Sequence, residues 1–237
     1  MADKFNVSFI VPCCDDASFL RECLGALVSL EPMPQIVVSD ASKDRVPVRS
    51  LCDEFGVDLV EFYKPSRGAQ LDAGAEIAKG EILVFHHVDT DFTQRHYESL
   101  NALFQKDPSI LGGAFLKDVV ALYPFMKFFA WIHKFFTMHI GTMYGDQSIF
   151  VVRSVFQDLG GFRDLPLMED VCFSSRLREY GAVNLIGPPI RSSDRKFSKE
   201  GRIQRKMKNV WLVFLYRIGI NPERLAQMYY YNDWPSD

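Results

Sequence analysis

The sequence predicts an α/β protein built on a mostly parallel, twisted, doubly wound sheet. Three observations predict it. Over the first 90 residues, short apolar β-prone runs alternate with amphipathic stretches, the pattern of successive βαβ units. Each of these runs ends abruptly in polar residues, as buried parallel strands do where their carboxyl ends open into a crevice. The chain has 237 residues, 48% apolar and 24% charged, which suits one large domain with a real core.

The elements follow in order. Val7–Val11 reads as a strand, and Phe19–Leu30 as an amphipathic helix after a polar turn. Ile36–Val38 is a second strand ending in Ser39-Asp40. A helical stretch around Val48–Phe55 precedes a third strand at Val57–Phe62. Ser66-Arg67-Gly68-Ala69-Gln70 opens the helix Leu71–Ala78, and Gly80 stops it. Ile82–Phe85 is the fourth strand. Further on, Ala114–Phe115 and Phe150–Val152 read as strands, Ser154–Leu159 as a short helix, and Gly160-Gly161-Phe162 as a turn. Leu167–Tyr180 reads as a helix stopped by Gly181, and Ala182–Ile186 as the last strand.

Two stretches stand apart. Tyr123–His139 is densely aromatic, yet shorter than the ~20 apolar residues a bilayer span needs, and it carries two Lys and two His. That excludes a transmembrane helix and leaves a buried or homodimer-forming helix, or one lying in a membrane interface. The tail Lys199–Tyr216 reads as a helix, basic in its first half and aromatic in its second, within an extension over 199–237.

Composition narrows the function classes. The net charge of −3 gives no general case for nucleic-acid binding. It is unevenly placed: Arg191 to Lys208 holds eight basic residues against two acidic ones, a local +6, so the remainder carries −9. That cluster suits a local anionic partner or a solvated helix face. Cys13, Cys14, Cys23, Cys52 and Cys172 are odd in number and show no C-x-x-C pairing, which predicts reduced thiols rather than a disulfide framework or zinc site. Met1–Asn6 leads straight into a strand-like run, so the expectation is a cytoplasmic protein, with peripheral contact at the inner face of a membrane as an open alternative.

The most chemically pointed segment is His87-Val88-Asp89-Thr90-Asp91, after the fourth strand. If the chain stays extended, Leu83, Phe85, His87, Asp89 and Asp91 share a face. Two carboxylates one residue apart can share a hard divalent cation such as Mg²⁺ or Mn²⁺. The same spacing also suits a strand-end turn with a solvated Asp pair. Glu169-Asp170 opens a predicted helix, where the dipole favours an ionised carboxylate and acidic residues commonly sit as caps.

Taken in order, the motifs resemble an inverting family-2 glycosyltransferase of the GT-A fold, a Rossmann-like sheet flanked by helices. Val7-Ser8-Phe9-Ile10-Val11-Pro12-Cys13-Cys14-Asp15-Asp16 resembles the family's opening strand, and Ile36-Val37-Val38-Ser39-Asp40-Ala41-Ser42-Lys43-Asp44 its V-V-D-D-G-S-x-D turn. Arg67-Gly68-Ala69-Gln70, His87-Val88-Asp89-Thr90, Tyr144-Gly145-Asp146-Gln147, Leu159-Gly160-Gly161-Phe162 and Pro166-Leu167-Met168-Glu169-Asp170 are similar to one bacterial branch. Each motif is weak alone; the ordered set is specific.

The resemblance implies a GT-A domain over 1–198, its nucleotide-binding half at about 1–91 and its acceptor half at about 92–198. It implies transfer of a sugar from a nucleoside-diphosphate sugar, most often UDP-linked, to an acceptor hydroxyl. Nucleotide contacts would come from Pro12, Cys13, Asp15, Asp40, Arg67, Gln70, Val88 and Asp89, and the Mn²⁺ or Mg²⁺ from Asp89 with Asp91 or His87. Tyr144, Gly145, Asp146 and Gln147 would line the acceptor side, and Asp170 would be the general base beside Glu169. Beside these, the basic cluster suggests that Arg195 and Lys196 meet the diphosphate or a phosphorylated acceptor. The chain departs from the pattern at Ser39, Asp72 and His87, where the family usually has Asp, Asn and Asp. Those departures keep a non-catalytic nucleotide-sugar binder in view. A sugar nucleotidyltransferase fits less well, because Val11–Leu20 has no glycine and no basic residue for a triphosphate.

Overall fold

A computed structural model describes residues 5–63, 66–118, 142–192 and 199–230. Within them the chain runs β1 (Val7–Cys13), α1 (Ala17–Val28), β2 (Gln35–Asp40), α2 (Val46–Phe55), β3 (Asp58–Glu61), α3 (Arg67–Ile77), β4 (Ile82–Phe85), α4 (Gln94–Lys106), β5 (Gly112–Lys117), β6 (Ile149–Val152), α5 (Arg153–Asp158), α6 (Glu169–Tyr180), β7 (Val183–Ile190), α7 (Lys199–Arg217) and α8 (Pro222–Tyr229). The predicted elements form, with ends shifted by a few residues. The aromatic run Tyr123–His139 lies outside the described residues.

One seven-stranded sheet takes the order β3-β2-β1-β4-β6-β5-β7. All neighbours pair in parallel except β6, which runs antiparallel to β4 and β5. The winding reverses between β1 and β4, so this is the switch point at which the loops beyond the strands part and leave a crevice.

Strand β1 shows why both faces are covered. Phe9 and Val11 join a core with Leu20, Leu24 and Leu27 of α1 and Tyr97, Leu100 and Phe104 of α4, while Ile10 joins Leu71, Phe173 and Leu177 on the other face. Leu20, Leu24 and Leu27 recur at helical spacing, and that stripe seats α1 on the sheet. Helix α3 lies very close to the sheet because Gly74 has no side chain: a Cβ there would come within 2.5 Å of Ile10 Cγ2. This approach brings the start of α3, with Arg67, to the switch point.

Three features depart from the expectations above. Helix α4 is not announced by the sequence, because it is largely polar and buries only His96, Tyr97, Leu100 and Phe104. Its start is closed by an unusual capping box, in which the Thr93 N–H donates to His96 Nδ1 at 3.0 Å, a role normally filled by Glu or Gln. Helix α8 is not announced either; it opens with the Asn221 side chain accepting from the Glu223 N–H at 2.9 Å. Finally, the extended alternation does not continue past Phe85, since the Thr90 N–H donates to the His87 carbonyl at 3.1 Å and closes a turn.

Candidate active site

A cavity of about 140 Å³ sits at the switch point, lined by Pro12, Cys13, Cys14, Asp16, Arg67, Gln70, His87, Val88 and Asp89. The β1 end, the first turn of α3 and the turn after β4 each supply part of its wall. Beside it lies a second cavity of about 610 Å³, whose lining includes Glu22, Asp89, Thr90, Asp91 and Arg191. Asp89 and Val88 are shared by both. Among the described residues, no hydrogen bond or ion pair reaches the half-buried Asp89 carboxylate.

The wall is held from behind. Gln70 Nε2 donates to the carbonyls of Cys13 and Ser39, each at 3.0 Å, and so ties the ends of β1 and β2 together. Its N–H groups are therefore engaged by strand ends, which makes its part in the wall a positioning one. Asp40 is fully buried; its Oδ1 accepts from the Ser42 N–H at 3.0 Å and Ser42 Oγ at 2.5 Å, while Oδ2 has no partner among the described residues. Burying an unpaired carboxylate oxygen costs about 1–3 kcal/mol or more, so a nearby donor would be strongly welcomed. Burial pushes the Cys13 thiol up to about 12, which keeps it a thiol in a packing role.

The turns place two of the expected site residues outside the first cavity. Asp15 has φ 56°, and its Oδ1 accepts from the Lys43 N–H at 3.0 Å. Asp15 is thereby turned away and Asp16 and Cys14 line the cavity in its place; the one signal for Asp16 is its position just ahead of α1. Asp91 is carried by the turn after β4 into the neighbouring cavity, where its N–H donates to the Arg191 carbonyl at 2.8 Å. His87 and Asp89 share the first cavity, but Asp91 does not join them, and among the described residues no three His, Cys, Asp or Glu side chains converge to hold a metal ion.

Across from these residues, Tyr144–Gln147, expected to line the acceptor side, forms a single tight turn. Gly145 is its pivot: its N–H donates to Asp170 Oδ2 at 2.8 Å, and a Cβ there would come within 2.5 Å of His87 Nε2. The turn after β4 and the start of α6 are thus joined through one glycine. Gln147 braces it, accepting from the Tyr144 N–H and donating to the Phe115 carbonyl, each at 3.0 Å. Asp146 pairs with Lys117, and its Oδ1 is buried with no hydrogen-bond partner among the described residues. Burial, reinforced by Asp170, pushes the Tyr144 phenol up to about 12, so it remains a hydrogen-bond donor. Arg195 and Lys196 lie outside the described residues.

Helix α6 opens on strain. Met168 has φ 71°, a left-handed conformation that costs a non-glycine residue about 1–2 kcal/mol. Packing of Met168 with Val171, Leu212, Val213 and Leu225 holds it there. The two acids that follow differ sharply. Glu169 is 4% exposed and meets Arg67 Nη1 at 3.4 Å across the site; burial holds its carboxyl above the usual range, Arg67 opposes this and Asp170 adds to it. Asp170 is half-buried, and its Oδ1 accepts from the Val171 N–H at 2.7 Å. Of the pair, Asp170 is the more open to solvent.

Asp72 braces the glycine turn from below. Its Oδ1 accepts from the Phe162 N–H at 2.8 Å, and burial raises its carboxyl to about 6 despite that bond and nearby Arg176. Because the folded value lies above the ordinary 3.8, the folded state holds this proton more tightly. Its stabilising contribution is complete below pH ~4 and is lost as pH rises through ~6. Asp72→Asn is expected to raise stability at pH 8 by about 1–2 kcal/mol, allowing for partial exposure, and to flatten the fall in Tm between those pH values. Calorimetric melting across pH tests this; an unchanged profile would show that Asp72 is not the group responsible.

Comparison with known proteins meets this geometry from outside. The family model for glycosyl transferase family 2 matches residues 8–154, well over half of the chain. No curated protein matches the sequence. Among solved structures, the chain is similar to the mannosyltransferase PcManGT from Pyrobaculum calidifontis in complex with GDP-Man and Mn²⁺, at 18% identity and TM-score 0.68, covering 96% of this chain and 70% of that one. It is similar to S. aureus TarS 1-349 in complex with UDP-GlcNAc, at 14% identity and TM-score 0.63, over 94% of this chain and 70% of that one. It is also similar to glucosyl-3-phosphoglycerate synthase from Mycobacterium tuberculosis in complex with phosphoglyceric acid, at 12% identity and TM-score 0.59, over 91% of this chain and 81% of that one. At such identities the likeness carries the GT-A fold, and the family match carries the rest: this chain belongs to glycosyl transferase family 2 and is a transferase enzyme.

Proposed function

We propose that the protein is an inverting, divalent-metal-dependent glycosyltransferase that moves a sugar from a nucleoside-diphosphate sugar, UDP-linked, to an acceptor hydroxyl. The observation that carries this reading is the Asp89 carboxylate, unpartnered among the described residues in a cavity at the switch point. A carboxylate left half-buried without an internal partner is costly in the empty protein and suits a cationic ligand. Mg²⁺ needs only one or two protein carboxylates when substrate phosphates supply the remaining oxygens, so Asp89, with His87 in the same wall, fits such an ion. When bound, the metal would neutralise charge growing on the departing diphosphate.

The remaining roles follow from the chain's own groups. Asp40 accepts from the base through its orphaned Oδ2, and Pro12, Cys13 and Val88 frame it. Arg67 turns a guanidinium fork toward diphosphate oxygens, for which its half-exposed side chain is free to reorient. Asp170, held at a helix start by two backbone N–H groups, takes the proton from the acceptor hydroxyl. Attack from the face opposite the leaving group inverts the anomeric carbon, so one base suffices. On this reading, residues up to about 91 bind the nucleotide, 92–198 the acceptor, and 199–237 form an extension, of which Leu212, Val213 and Leu225 pack against Met168. That neighbouring structures hold GDP-Man and UDP-GlcNAc supports the donor class.

Thermal unfolding with UDP, GDP, CDP and dTDP, each with and without Mn²⁺, tests the assignment. UDP with Mn²⁺ is expected to stabilise most, by about 2.7 kcal/mol at a hundred times its dissociation constant. A larger shift with another nucleotide would reassign the donor's base. No shift with any would overturn the proposal.

A further inference from the structure

Helix α7 has two apolar faces, and among the described residues the fold covers one of them. Leu212 and Val213 point inward and pack on Met168 and Val171. On the opposite side Trp211, Phe214 and Ile218 stand 54%, 46% and 60% exposed. Trp211 and Phe214, three residues apart, share a face of the helix and their rings stack at 5.5 Å, and Ile218 extends that line from the turn just past Arg217, its N–H donating to the Phe214 carbonyl at 3.1 Å. Isolated exposed apolar residues need no explanation, but three large ones in one line along a helix and the turn that ends it form a ridge.

Charge decides what the ridge meets. The same helix carries Lys199, Arg202, Arg205, Lys206, Lys208 and Arg217 against Glu200 alone, on a chain of net charge −3. A second copy apposed helix to helix would bring the same cationic segment and be repelled. An anionic bilayer meets both properties at once, because Trp and Phe seat among headgroups while Lys and Arg neutralise acidic lipids. Among the described residues no helix is long and apolar enough to cross a membrane, so contact of this kind lies in the plane of the surface.

We propose that the outer face of α7 and the turn that ends it, led by Trp211, Phe214 and Ile218, docks on an anionic lipid surface. The inner face of that helix packs on Met168, immediately before Glu169 and Asp170, so docking brings the acceptor side to within about one helix diameter, ~10 Å, of the headgroups. The proposal rests on α7 and not on the transfer reaction, so each can fail without the other.

The test is sedimentation of the full chain with phosphatidylcholine vesicles containing about one-third phosphatidylglycerol, alongside pure phosphatidylcholine vesicles. Binding is expected on the anionic vesicles at low salt, weakened about tenfold or more at high salt and absent on the neutral ones. The triple variant Trp211→Ser, Phe214→Ser, Ile218→Ser should lose binding by tenfold or more while keeping the wild-type Tm, since its residues are exposed. Equal binding by the variant would overturn the proposal, as would no binding by the wild type. Light scattering distinguishes the other occupant: a wild-type dimer that the triple variant converts to monomer, with no vesicle binding, would assign the ridge to a second copy of the chain.

Discussion

Asp170→Asn is expected to lower kcat by about 10²–10⁴-fold while leaving the donor KM close to wild type, because only the proton-accepting step loses its base. The substitution is not silent for the fold. Asp170 accepts two backbone N–H groups, and asparagine offers one oxygen and one NH₂ in their place. One bond is lost, so stability should fall by about 1–2 kcal/mol, visible as a lower Tm with unchanged circular dichroism. Glu169→Gln separates the neighbouring acid: it removes the partner of Arg67 without touching those backbone contacts. If Asp170→Asn kept kcat within a few-fold while Glu169→Gln abolished it, the two roles would have to be exchanged.

Asp89→Ala should cost several kcal/mol of leaving-group stabilisation, about 10²–10³-fold in kcat/KM, and should remove the response of the rate to Mn²⁺. Its Tm should not fall, since no hydrogen bond or ion pair among the described residues depends on that carboxylate. Loss of activity without loss of stability is the signature of a group kept for its ligand. Asp91→Ala supplies the contrast: Asp91 is exposed in the adjacent cavity, and its removal should change the rate by little. Equal losses in the two variants would mean that the metal is held across both cavities, and the assignment to Asp89 would have to be redrawn.

Much of the fold is legible in the sequence because its signals are local. Apolar runs such as Ile82–Phe85 and stripes such as Leu20, Leu24 and Leu27 declare strand and helix over a few residues. The polar strand ends mark where the site lies, and Arg67, Gln70, His87 and Asp89 do meet in one cavity. Helix α4 is hidden because it is a mostly polar helix whose cap uses His96. Asp15 and Asp91 defeat the sequence for a different reason. A pattern of polar and apolar residues says nothing about a positive φ at Asp15 or a turn after His87, and either one redirects a side chain.

By itself, then, the sequence determined the order of elements, the parallel character of the first half and the residue types gathered at the strand ends. Only the tertiary structure decided which of those groups meet. Gly145 reaches Asp170 across 25 residues and Arg67 reaches Glu169 across 102, while α7 closes on Met168 to hold a strained turn in place. Helix and strand periodicity is written in neighbouring residues, whereas these contacts are selected by the packing of whole elements, once burial has offset the entropy of closing the long loops between them.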